Sequence, residues 1–219
     1  MLRDMKADVA TANATFTDEV KMQKAAYDEV VRAAGEAAAL LAGNSIDEAT
    51  VAATSASLKN AIAAANASVT AYADLNTALT DAQAVYEQFA EADAEKAKTA
   101  LLASLDAANA IYAEAVADIQ TVRDAITSLD ETAATLQVSV QIYECLDVLD
   151  EILNNCEVGT KYGMYPQSQY DKMAVLQNEL SGLLDLYERG EIPATEVLPY
   201  VETVSAAVEK FYASMITID

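Results

Sequence analysis

The stretch EATVAATSASLKNAIAAANASVTAYADLNTALTDAQAVYEQFA, residues 48–90, runs for more than forty residues without a glycine or a proline. Alanine, which has the highest helix propensity, is its most frequent residue. The larger apolar residues recur at three- and four-residue spacing and do not alternate with polar residues as in a half-buried strand. The stretch therefore predicts a long α-helix. Because strand patterns are scarce elsewhere too, we predict an all-α protein.

The composition excludes several classes of protein. A hydrophobic content of 53% in 219 residues excludes a disordered chain, although the net charge is −22. No run approaches the roughly 20 consecutive apolar residues of a membrane span. Thirteen basic residues against 35 acidic ones repel phosphate, so we expect no nucleic-acid partner. The first residues lack the basic-then-apolar order of a signal peptide, and any export signal or lipid anchor is expected outside this sequence.

The chemistry-bearing residues do not predict an enzyme. The chain has no histidine, which excludes His-based acid–base catalysis and His-ligated metal sites. The two cysteines, Cys145 and Cys156, lie eleven residues apart. On one helix they would be roughly 16 Å apart, too far for a disulfide, and we interpret them as structural thiols. We therefore predict no catalytic residues, no cofactor and no metal site.

Acidic groups along the chain are interpreted as solvated surface. The segment EADAEK, residues 91–96, lacks the ligand spacing and the glycine turn of an EF-hand loop. Asp147, Asp150 and Glu151 would suit glycoside hydrolysis only inside a cleft, and none is predicted on a narrow helix. We expect all of them to be exposed.

Helix-breaking residues divide the chain into segments. Gly43 is placed to end a helix, and Ser45 to Glu48 has the pattern of a capping box that starts the next one. No breaker occurs near residues 72–73 or 137–138, so the helices on either side should be continuous there. The predicted segments are 1–16, 18–42, 46–72, 73–90, 93–115, 118–137, 138–156, 166–189 and 195–217.

An internal repeat relates these segments. A shift of 75 residues places the apolar stripe from Leu101 to Leu136 on the stripe from Leu176 to Phe211. We predict three three-helix units, at residues 1–72, 73–137 and 138–219, joined by the continuous helices into a spectrin-like elongated rod. The alternative is a single compact helical globule. The last unit is richer in Leu and Val than the alanine-rich first two, so it should be the most stable.

One loop differs from the rest of the chain. In GTKYGMYPQSQYD, residues 159–171, two glycines, three tyrosines and a proline follow more than a hundred residues without glycine. The loop is interpreted as a structural corner in which the tyrosines cover the end of a bundle. The alternative is a recognition patch, because tyrosines on loops of rigid scaffolds bind ligands. The candidate ligand-binding residues are Tyr162, Tyr165 and Tyr170.

The same region carries a family resemblance. The pattern G-T-x-Y-G-x-Y-P, the spaced leucines after it and the closing F-Y-A-S resemble FIVAR-like and related three-helix repeat modules of bacterial, Bacteroidetes-type cell-surface proteins. The resemblance covers residues 142–216, and the earlier units lack this loop. It implies an exported, carbohydrate-associated lipoprotein at the cell surface or in the periplasm, with a spacer or adhesive role and no chemistry.

Together these observations lead to one functional hypothesis and one alternative. We expect a non-enzymatic helical-repeat protein of the cell surface that acts as a spacer, scaffold or adhesion module. The alternative is a binding module for a glycan or a protein that uses the loop from Tyr162 to Tyr170. A protein or a surface polysaccharide is accordingly the expected partner.

Overall fold

The computed structural model describes residues 1–43 and 47–217, and it confirms the all-α prediction. Among these residues there is no strand, and one isolated bridge joins Val158 to Tyr165. The seven helices of this described part are α1 Leu2–Thr15, α2 Lys24–Ala42, α3 Glu48–Gln88, α4 Glu95–Glu114, α5 Ile119–Asn155, α6 Gln167–Glu188 and α7 Ala194–Ala213.

Two of the helices are unusually long. Helix α3 has 41 residues and runs unbroken through position 72, and α5 has 37 residues and runs unbroken through position 137. The absence of glycine and proline predicted this continuity, and the prediction is confirmed. Nine predicted segments therefore form seven helices.

An aspartate caps the amino end of each long helix. The backbone N–H and the hydroxyl of Thr50 both donate to Oδ2 of Asp47 at 2.9 Å, and the N–H of Thr121 donates to Oδ1 of Asp118 at 2.8 Å. Because these backbone hydrogen bonds stabilise the charged carboxylates, they lower the pKa of Asp47 and the pKa of Asp118. The predicted cap Ser45 lies outside the described residues, and Asp47 holds the cap position in the structure.

Two predicted helix ends differ from the observed ones because distant backbone groups hold the chain there. Helix α2 begins at Lys24 rather than at residue 18, and the Lys24 N–H donates to the carbonyl of Ala115 at 2.7 Å. Helix α7 ends at Ala213 rather than at residue 217, and the Ile216 N–H donates to the carbonyl of Met164. Neither partner is near in sequence.

The chain packs as two compact units. The amino-terminal unit contains Met1–Gln83 and Ala103–Asp130, and the carboxy-terminal unit contains Ala84–Leu102 and Glu131–Asp219. Helices α3, α4 and α5 each have residues in both units. The division into three units at residues 1–72, 73–137 and 138–219, and the elongated rod, stay predictions.

Each unit contains a buried apolar cluster contributed by three helices. The amino-terminal cluster draws on α1, α2, α3 and the segment between α1 and α2, and it lies within the predicted unit 1–72; its buried members are Met5, Ala12, Phe16, Met22, Val30, Ala33, Ala34, Ala37, Val51, Leu58, Ala61 and Ala65. The carboxy-terminal cluster draws on α5, α6 and α7 and lies within 138–219; its buried members are Val138, Ile142, Leu149, Ile152, Met173, Leu176, Leu180, Leu184, Tyr187, Val197, Val201, Val204, Ala207 and Phe211.

Candidate functional site

The tyrosine loop, residues 156–166, connects α5 to α6 in the carboxy-terminal unit. Its two ends are paired through their backbones. The Tyr165 N–H donates to the Glu157 carbonyl at 2.9 Å, and the Gly159 N–H donates to the Tyr165 carbonyl at 3.0 Å. These bonds close the loop at its base, so its tip has a defined position.

Two glycines shape this loop. A Cβ atom at position 159 would lie 2.5 Å from Sδ of Met164, so the flexible Met164 side chain would have to shift to admit it. Gly163 has a φ of +81°, a left-handed conformation that side chains rarely tolerate. Gly163 is therefore explained by the turn itself, as the corner interpretation expects.

The tail after α7 holds the tip of the loop. The Gly163 N–H donates to the Ile216 carbonyl, and the Ile216 N–H donates to the Met164 carbonyl, both at 2.9 Å. This reciprocal pair joins the loop to the residues that follow the last helix. It explains why the segment beyond Ala213 is not helical, since its backbone is bonded to the loop.

The three predicted tyrosines occupy different environments. Tyr165 stacks on Phe211 with ring centroids 4.4 Å apart, and it is half-buried. Tyr170 is also half-buried, and its hydroxyl donates to the Leu153 carbonyl at 2.6 Å. Tyr162 is 68% exposed. Tyr165 thus fixes the loop to the core, and Tyr170, on α6, joins that helix to α5. Tyr162 alone of the three presents most of its ring to solvent.

Two exposed residues near this loop were not predicted from the sequence. Tyr212 is 44% exposed with its ring edge-on to Tyr165, their centroids 6.3 Å apart, and Met215 is 42% exposed. Burial, with the Glu151 carboxylate as the next cause, raises the pKa of Tyr212. The exposure of Tyr212 could have been predicted from the core position of Phe211, because the next residue on a helix points about 100° away from it. We call the exposed apolar side chains of Tyr162, Tyr212 and Met215, two of which are aromatic, the aromatic end of the carboxy-terminal unit.

A second surface feature of the carboxy-terminal unit is a groove between α5 and α7. Its volume is ≈ 350 Å³, and its apolar lining is Val148, Val201, Val204 and Val208. Its polar lining is Gln141, Glu144, Cys145 and Ser205. We call this the valine groove; the sequence predicted no cleft there, since it forms only where two helices far apart in sequence come together.

The carboxylates that the sequence offered as candidates lie on the surface, and the two thiols are not bonded to each other. Asp147, Asp150 and Glu151 are exposed on α5, as predicted. Cys145 and Cys156 are free and half-buried, and burial raises the pKa of Cys156, which disfavours its thiolate form. Across residues 1–43 and 47–217, no group of three or more His, Cys, Asp and Glu side chains is placed to hold a metal ion.

None of the helices in the described part of the chain is both long enough and apolar enough to cross a lipid bilayer. In the carboxy-terminal unit, the exposed rings of Tyr162 and Tyr212 can stack on a ligand, and the valine groove can make apolar contacts.

Comparison of the chain with protein-family models, with curated proteins and with solved structures gave no match.

Proposed function

We propose that this chain is a non-enzymatic helical-repeat spacer or scaffold of a bacterial cell surface. The observation that carries the proposal is the continuity of α3 and α5, each of which has residues in both compact units. Units joined by flexible linkers move independently, whereas units that share unbroken helices are constrained by the helices' own backbone hydrogen bonds.

The mechanism in this proposal is mechanical. A 41-residue helix is about 60 Å long, and a 37-residue helix about 55 Å. Neither contains a glycine or a proline at which it would bend easily. Such helices would hold two attachment points at a fixed separation, as in the spectrin-like rod that the sequence predicts.

The location in this proposal rests on the resemblance of residues 142–216 to FIVAR-like surface modules. Labelling of intact cells with a membrane-impermeant reagent tests it. The chain should be labelled without lysis; labelling only after lysis would reject a surface location.

Small-angle scattering tests the elongated shape. A compact chain of this length has a radius of gyration of about 17 Å, and the rod requires a value well above it. A value at the compact limit would reject the spacer.

Spin labels test whether the separation is fixed. Val31 and Val175 are exposed valines, one in each unit, and both can be replaced by cysteine in a variant whose two native cysteines are serine. A single narrow distance distribution is expected. As a control, Asp130→Pro should break α5 and broaden the distribution, whereas Asp130→Ala should not.

A second function, binding of a glycan or protein at the tyrosine loop, is favoured by one observation. Tyr162 is 68% exposed although backbone hydrogen bonds hold both the base and the tip of the loop that carries it. A rigid, exposed ring loses little entropy when it stacks on a sugar. Affinity electrophoresis in polysaccharide gels should show retardation that Tyr162→Ala removes. Tyr27→Ala, in the amino-terminal unit, is the control, and equal retardation of both variants would exclude this loop.

A further inference from the structure

The valine groove has acidic rims on both sides. On α5, Glu144, Val148 and Glu151 fall on one helical stripe, since they are spaced by four and three residues. On α7, Glu202, Ser205 and Glu209 form an equivalent stripe. Glu144 is itself part of the lining, and three further exposed carboxylates lie on the same two stripes; these rim carboxylates are Glu144, Glu151, Glu202 and Glu209.

Basic residues are almost missing from the two helices that form the groove. The part of α5 in the carboxy-terminal unit, Glu131 to Asn155, contains five acidic residues and no lysine or arginine. Helix α7 contains three glutamates and a single basic residue, Lys210. The potential around the groove is therefore negative, and it favours a positively charged occupant.

The length of the groove fits two turns of a helix. Its lining runs from Gln141 to Val148 on α5 and from Val201 to Val208 on α7, which is seven steps on each helix. Seven steps of 1.5 Å are about 10 Å, the distance between positions i and i+7 of a partner helix. An amphipathic helix inserts its anchors at i, i+3 or i+4, and i+7 into such a groove.

We propose that the valine groove binds an amphipathic helix of a partner protein, with its apolar stripe on the valines and flanking lysines or arginines opposite the rim carboxylates. A second copy of this chain fits poorly, because each copy has a net charge of −22 and would bring acidic rims together. A glycan fits less well, because half of the lining is valine and its hydroxyls would find hydrogen-bond partners only among the polar residues of the groove wall. This site adds a partner to the proposed scaffold and does not depend on its shape.

The experiment uses the full chain and two synthetic peptides. Both peptides are helix-stapled, are about 15 residues long and carry leucine at positions i, i+3 and i+7. One has lysine at the flanking positions, and the other has glutamate there. The lysine peptide should bind at least about tenfold more tightly than the glutamate peptide, and salt should weaken its binding. Equal affinities, or no binding of the lysine peptide, would overturn the proposal.

Matched valine variants locate the binding site. Val148 is 36% exposed and lines the groove, whereas Val175 is 54% exposed on α6 and does not. Val148→Lys should weaken binding of the lysine peptide by about tenfold or more, and Val175→Lys should change it by less than about twofold. Equal effects of the two substitutions would place the peptide elsewhere and reject the groove.

Cys145 provides a second readout that does not depend on affinity. With Cys156 replaced by serine, Cys145 in the groove wall is the only thiol. Saturating lysine peptide should slow its alkylation by at least about fivefold, and an unchanged rate would contradict occupancy of the groove.

Two further outcomes would identify a different occupant. Dimerisation that Val148→Lys abolishes would make the occupant a second copy and refute the proposal. If the chain bound soluble polysaccharide and Val148→Lys abolished that binding, the occupant would be a glycan and the proposal would be refuted. A compact scattering profile with peptide binding retained would reject the spacer and leave this site standing.

Discussion

The two apolar clusters are built from different side chains. Half of the twelve described buried members of the amino-terminal cluster are alanine, whereas one of the fourteen in the carboxy-terminal cluster, Ala207, is. The rest of the carboxy-terminal cluster is mostly Leu, Val and Ile. Both clusters nevertheless draw on three helices, so the same architecture is reached with small and with large core residues.

The difference shows two ways of stabilising a helical unit. A leucine or valine buries several methyl and methylene groups, each worth about 0.8 kcal/mol. Alanine buries little, but it has the highest helix propensity and lets helix backbones approach closely. The amino-terminal unit should therefore depend on helix formation and close packing, and the carboxy-terminal unit on burial of large side chains.

The largest expected effect is the loss of a large side chain from the carboxy-terminal cluster. Leu180 is fully buried, and Leu180→Ala should lower the free energy of unfolding by about 2–5 kcal/mol through lost burial and the cavity left behind. Urea unfolding measures this. Val175→Ala, at an exposed position, is the control and should change it by less than about 0.5 kcal/mol.

The amino-terminal cluster should respond to the opposite change. Ala37 is fully buried on α2, and Ala37→Leu should cost about 1–3 kcal/mol because closely packed helices have no room for a larger side chain. The exposed neighbour in Ala38→Leu provides the comparison and should be nearly neutral. If Ala37→Leu stabilised the chain, close packing would not be what holds this cluster together.

Hydrogen exchange compares the two clusters directly. Amide protons in α6 and α7 should exchange more slowly than those in α1 and α2, because opening the carboxy-terminal cluster exposes more apolar area. Mass spectrometry of peptic fragments resolves the four helices. The reverse order would show that helix propensity outweighs side-chain burial.

High pH should weaken the carboxy-terminal unit. Burial, and then the hydrogen bond to Glu179, raises the pKa of Tyr200 to about 12. This folded-state pKa lies above the ordinary value of 10, so the folded state favours the protonated Tyr200 hydroxyl. The stability contributed by that hydroxyl is fully present below pH 10 and is lost as the pH rises through about 12. Tyr200→Phe should reduce this loss, as measured by thermal unfolding between pH 9 and 12. Equal pH dependence of both proteins would contradict it.

Low pH should act on the helix caps of the amino-terminal unit. Asp47→Ala removes the acceptor for Thr50, and a fall of about 2–4 °C in Tm is expected at neutral pH. The folded pKa of Asp47 is lowered, so the cap is present above the ordinary value of 3.8 and is lost as the pH falls through the folded pKa. The difference from wild type should therefore shrink as the pH falls below 3.8. Asp118→Ala should have the same effect. Helices α6 and α7 have proline at the N-cap position and no side-chain cap hydrogen bond, so they have no carboxylate cap to lose at low pH.

Part of the candidate site followed from the sequence. Gly159, Gly163 and the tyrosines predicted a corner, and the positive φ of Gly163 explains why glycine is needed there. The hydrogen bond between Gly163 and Ile216 could not be predicted, because the two residues are fifty-three positions apart and no local sequence pattern indicates that they pair. The exposure of Tyr212 and the valine groove depend on the same long-range packing.

By itself, the sequence determined the helices. Helix propensity, apolar spacing and the absence of breakers act within a few residues, so the continuity of α3 and α5 could be predicted before any packing was known. Tertiary structure decided where α2 starts, where α7 stops and which valines share a groove. Those features depend on hydrogen bonds and contacts between residues distant in the chain, such as Lys24 with Ala115, and local preference carries no information about them.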